Sequence, residues 1–140
     1  MSLSLHTYLS KRITISLYLL AMSSSICAQH EEIFDSLQNL IRKEVTEGTN
    51  TFLPIALAYD SVAILSGDTL KMGKGKNFLG MYHYYNGNHR QAISYYLEAL
   101  PYFTAIRDTY YIAMMHNNIG AAYEYRKEPE NSISSPVMIR

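Results

Sequence analysis

One cysteine, four prolines and no tryptophan stand among the 140 residues. A lone thiol, Cys27, excludes an internal disulfide framework and any thiolate-rich zinc site. Neither sign of charge dominates, because 12 Lys and Arg balance 12 Asp and Glu. The chain therefore lacks the basic footprint that holds nucleic acid through its phosphates. Charged residues make up 17% and apolar residues 48%, a balance too apolar for a disordered chain. The apolar run over residues 13–22 is well short of the ~20 residues needed to cross a bilayer as a helix. No stretch reads as a strand, and the length allows one domain at most. What the chain does have is tyrosine: 13 residues, 11 of them from Tyr59 to Tyr125.

The first 28 residues have the layout of a secretory signal. Lys11 and Arg12 precede the apolar run, and a small, polar stretch, SSSICA, ends at Ala28. Cleavage after Ala28 leaves Gln29 as the first residue and removes the only cysteine, so the mature charge is 10 − 12 = −2. Ile26 is larger than the residue usual two places before such a cut. The same size argues against reading Cys27 as a lipid-modified cysteine, and retention as an uncleaved anchor is the other alternative. The sequence thus predicts a secreted or periplasmic protein, without a transmembrane helix if the signal is removed.

Beyond the leader the chain repeats itself at an offset of 40. Leu57, Asp68, Thr69, Asn77, Gly80, Tyr85, Ile93 and Ser94 recur as Leu97, Asp108, Thr109, Asn117, Gly120, Tyr125, Ile133 and Ser134. That is about three times the identity that ordinary composition yields by chance. Apolar residues at three- and four-residue steps predict helices over 51–66, 70–86 and 89–103, another from Asp108-Thr109 to Arg126, and a separate leading helix over 31–47. Gly67-Asp68 and Gly87-Asn88 break the pattern between them. Pro101 should loosen the last turn of its helix, having no N–H to donate. Links this short make neighbouring helices antiparallel hairpins.

Residues 77–100, NFLGMYHYYNGNHRQAISYYLEAL, resemble a tetratricopeptide repeat. Gly80 matches the small residue where the family's first helix crosses its second, and Ala92, Tyr96 and Ala99 match its alanine–aromatic–alanine pattern. NNIGAAYEY, residues 117–125, resembles the next first helix through Gly120 and Tyr123. The unit departs from the family in its 40-residue period, against the usual ~34, and in having Lys76 and His116 where a large aromatic is usual. Lengthened units of this kind resemble the sensory arrays of bacterial signalling proteins. The resemblance implies an all-α, helix-turn-helix repeat solenoid, an incomplete array of about two and a half repeats. Its parts are a signal (1–28), a leading helix (29–48), the repeats (49–128) and a truncated or poorly ordered tail (129–140). Gly80, Ala92, Tyr96, Ala99, Gly120 and Tyr123 are then packing residues.

Chemistry has few candidates. No two histidines stand four apart, so neither a metal site nor a metal-assisted hydrolase is indicated. His83 and His116 approach each other only if adjacent first helices align. Gly73 and Gly75, in KMGKGK, form a GxG without the strand or terminal Gly-Lys-Ser/Thr of a phosphate loop, and read as a frayed helix start. No serine has a nucleophile's context. The chain is expected to be no enzyme and to carry no cofactor.

The resemblance implies instead a groove for a protein or peptide, lined by the first helix of each pair. Lys74, Asn77, Met81, Tyr84 and Tyr85 are expected on its wall, with Met114, Asn117, Ala121, Glu124 and Tyr125 one unit later. Asn118 stands where the family commonly has asparagine. Such asparagines hydrogen-bond an extended backbone, and tyrosines add apolar area with a polar tip. Self-association is the other contact expected, since the array has no capping unit. The sequence favours an exported peptide-binding scaffold. The alternative is the N-terminal sensory region of a truncated bacterial signalling protein, of the histidine kinase or transcriptional regulator type.

Overall fold

A computed structural model describes residues 29–127, together with Ser16. The expected leader and tail, and the second helix of the third unit, lie outside the described residues. Contacts divide the chain between Ser36 and Leu37. In the first unit residues 29–36 are helical, with Phe34 buried. The helix that begins there, α1, runs over 29–47. In the second unit it is followed by α2 (Leu53–Ser66), α3 (Thr69–Tyr85), α4 (His89–Ala105) and α5 (Thr109–Lys127). Among the described residues there is no strand.

The helix ends are closed by one recurring device. Gly48, Gly87 and Arg107 hold φ of 68°, 76° and 56°, and each N–H bonds back three residues, to the carbonyls of Val45, Tyr84 and Thr104. The following residues, Thr49, Asn88 and Asp108, donate five residues back, to Glu44, His83 and Phe103. This is the Schellman arrangement, which satisfies the last carbonyls and turns the chain sharply. Gly67, with φ 67°, ends α2 in a similar way. Asp68 then caps α3, its carboxylate accepting from the Lys71 N–H at 3.0 Å, and Asp108 does the same for α5 through Tyr111 at 3.1 Å. The 40-residue sequence repeat is thus a repeat of cap chemistry.

In the second unit α2 packs on α3, α3 on α4, and α4 on α5. One core gathers Ile41 of α1, Phe52, Ala56 of α2 and Leu79 of α3; a second gathers Ala92, Tyr96, Ala99 and Phe103 of α4 with Met115 of α5. The tightest contact joins α3 to α4. A β-carbon on Gly80 would stand 2.5 Å from the Tyr96 ring, and one on Gly73 would stand 2.8 Å from that of Phe103. Each pair is seven apart on its helix, so both rings enter one face of α3. That antiparallel register sets Tyr84 opposite Ala92, again large against small, as close packing requires. A β-carbon on Gly75 would meet α2 instead, 2.9 Å from the Asp60 Cα.

Two expectations change here. KMGKGK is no frayed start: Gly73 and Gly75 are buried inside α3, where their missing side chains admit both neighbours. α4 continues past Pro101 to Ala105. Gly120 has nothing described within 4 Å of a β-carbon built on it; its expected partner, the second helix of the third unit, lies outside the described residues. Tyr123, at 39% exposure, is likewise more open than the core residues Tyr96, Ala92 and Ala99.

Candidate interaction face

α3 and α5 run parallel, each antiparallel to α4 between them, and touch directly at three levels. Near their starts the Lys74 ammonium lies 5.6 Å from the centroid of the Tyr111 ring. Midway, the Asn118 side-chain amide donates to Asn77 Oδ1 at 3.4 Å. Near their ends Tyr84 and Tyr125 meet edge to face at 5.8 Å. The two later pairs are each 41 residues apart, so the side chains that bridge the helices follow the sequence repeat with a one-residue lag.

Asn77 is only 5% exposed, and its amide also points at Met81 Sδ at 3.6 Å. It ties α3 to α5 and to its own helix, and offers nothing to a ligand. The repeat-matched Asn117 is exposed, because the row on α5 that corresponds to Lys74, Asn77, Met81 and Tyr84 meets no further described helix. Met81 and Met114 pack against the α4 core. Glu124 is exposed.

The C-terminal ends of α3 and α5 gather four rings. Tyr84 meets Tyr85, His89 and Tyr125 edge to face, and His89 stacks on Tyr125 at 5.5 Å. Tyr85 and Tyr125 keep 45% and 53% of their surface open, while Tyr84 and His89 are half-buried. Burial raises the Tyr84 hydroxyl above its ordinary value, and the neighbouring Tyr125 adds to the effect. The Tyr84 ring thus stays a neutral hydrogen-bonding phenol across the physiological range.

The histidines do not converge. His83 stacks on Tyr95 at 5.3 Å with its Nδ1 buried and without a hydrogen-bond partner, while His116 is exposed. Among the described residues no three His, Cys, Asp or Glu side chains are placed to share a metal ion. The sequence reading overlooked the ion pair from Lys76 Nζ to Asp60 Oδ2, 2.8 Å long, between α3 and α2. Burial opposes the Lys76 charge, but the Asp60 carboxylate outweighs it and raises the ammonium's pKa. The available signal was Gly75, which lets α2 close enough for the pair to form. Among the described residues no helix is long and apolar enough to cross a membrane. No family model, curated protein or solved structure matches the chain.

Proposed function

We propose that the chain is an exported, tetratricopeptide-like repeat scaffold that binds an extended peptide or protein segment along α3 and α5. The observation that supports this most is the direct alignment of those parallel helices through Asn77–Asn118 and Tyr84–Tyr125. In a repeat solenoid the first helices line up in this way and build the concave binding wall. These two contacts between α3 and α5 hold the wall's spacing, and the exposed Tyr85, Asn117 and Glu124 and the open side of Tyr125 are left to meet a ligand. Rigid tyrosines supply contact area at low entropic cost, and Asn117 supplies a donor and an acceptor to a peptide backbone.

The probe is a displayed library of random dodecapeptides. Peptides selected on the wild-type chain should lose at least about tenfold in affinity, roughly 1.4 kcal/mol, against the Tyr85→Ala, Asn117→Ala double variant. Helicity by circular dichroism should stay unchanged, because neither residue is buried. A library that yields no binder, or binders indifferent to the double variant, refutes the assignment. Export is tested separately, by N-terminal sequencing of the exported protein, which should begin at Gln29 rather than Met1.

A further inference from the structure

The solvent side of α2 carries no charge. Its exposed residues are Pro54, Leu57, Ala58, Ser61, Ile64 and Leu65, and its one charged side chain, Asp60, is buried against Lys76. At about 100° per residue these six fall within an arc of roughly 120° centred on Ser61. Leu65 is 87% exposed. The only polar side chain on the arc is already satisfied, since the Ser61 hydroxyl donates to the Leu57 carbonyl at 2.8 Å. Desolvating this face therefore strands no hydrogen bond and no ion. The exposed side of α4 differs, carrying Arg90 and Glu98.

We infer that this face of α2 is a homodimer contact, occupied by α2 of a second copy in antiparallel, two-fold fashion about Ser61. A two-fold contact sets each residue's environment against its own image, so a charge off the axis meets its like unless opposite charges are arranged for it. A face without charges is free of that problem, and it offers nothing to a charged partner such as nucleic acid. The spacing is self-complementary as well. Antiparallel pairing about Ser61 brings Leu57 against Leu65 of the other copy and Ala58 against Ile64, with small Ser61 at the crossing. The Ala58–Ile64 pairing is the kind of large-on-small fit that joins α3 to α4 within the chain, and the Leu57–Leu65 pairing supplies the apolar contact. A helix of this length spans about 21 Å, and one such contact falls below the ~800 Å² per partner of a standard interface. The dimer is accordingly weak, and its face lies on a different helix from the peptide wall.

The test uses the full chain with Cys27→Ser, so that no native thiol interferes. Sedimentation velocity should show a reversible dimer, and Leu65→Glu should raise its dissociation constant at least tenfold with helicity retained. Ser61→Cys in the same background should oxidise to a disulfide-linked dimer, whereas Glu98→Cys on α4 should not. A monomer at every concentration up to roughly 100 µM overturns the inference. So does association that survives Leu65→Glu, or a monomer that attaches to phosphatidylglycerol vesicles through the same leucine.

Discussion

Tyr96 lies so close over Gly80 that a β-carbon on the glycine would stand 2.5 Å from the ring's Cε1 and 2.6 Å from its Cδ1. The ring is buried on all sides and has no room to retreat. Gly80→Ala should therefore destabilise the fold by about 1–3 kcal/mol through overpacking. Gly120, its match 40 residues on, lies within a helix and has no described residue within 4 Å of a β-carbon built on it. Gly120→Ala should stabilise by about 0.5–1 kcal/mol, the ordinary helix preference for alanine. Urea denaturation of both variants checks the pair; equal signs would contradict the packing described.

Arg107 occupies the left-handed turn after α4 that Gly67 occupies after α2, at φ 56° and 67°. A side chain there is strained, and glycine is not. Arg107→Gly should gain about 1 kcal/mol, seen as a melting midpoint about 4–8 °C higher. A lower midpoint would mean that Arg107 makes a contact worth more than the strain.

Asp60 and Lys76 are both largely buried at their 2.8 Å contact. Asp60→Asn keeps the shape and removes the charge, leaving a largely buried ammonium without its carboxylate. The loss should be about 2–4 kcal/mol, and Lys76→Met in the same chain should recover most of it. A double variant no better than the single would show that the pair's charge is not what the site requires.

Burial holds the His83 imidazole below its ordinary pKa of 6.5. Below pH 6.5 the unfolded chain then binds the proton more readily than the folded one. The His83 contribution is complete above that pH and is lost as pH falls toward the lowered folded value. His83→Phe, which keeps an aromatic ring against Tyr95, should flatten the fall in melting midpoint between about pH 7 and about pH 5. An unchanged slope would assign the acid sensitivity elsewhere.

The helices and their ends were legible because capping chemistry is local: Gly67-Asp68, Gly87-Asn88 and Asp108 act within a few residues of themselves. Gly80, Ala92, Tyr96 and Ala99 were legible through the resemblance to a tetratricopeptide repeat, and Gly80 does meet the Tyr96 ring. The row of α3 that faces α5 was less so. Asn77 and Asn117 are identical in the repeat, yet one is buried against Asn118 and the other exposed, since α3 has α5 beside it and α5 meets no further described helix. Repetition in sequence marks equivalent positions, and the neighbour that each position meets depends on its place in the array. Gly73 and Gly75 misled for a related reason. Two glycines lower helix propensity locally, but here the close approach of α4 and α2 outweighs that preference.

The account rests most heavily on the face shared by α3 and α5. Amide hydrogen exchange, with and without a peptide selected from the random library, tests it most directly. The account predicts that bound peptide slows exchange in α3 and α5, most of all around Tyr85, Asn117 and Tyr125, and leaves α2 as it was. Protection confined to α2 or to the outer side of α4 would contradict it.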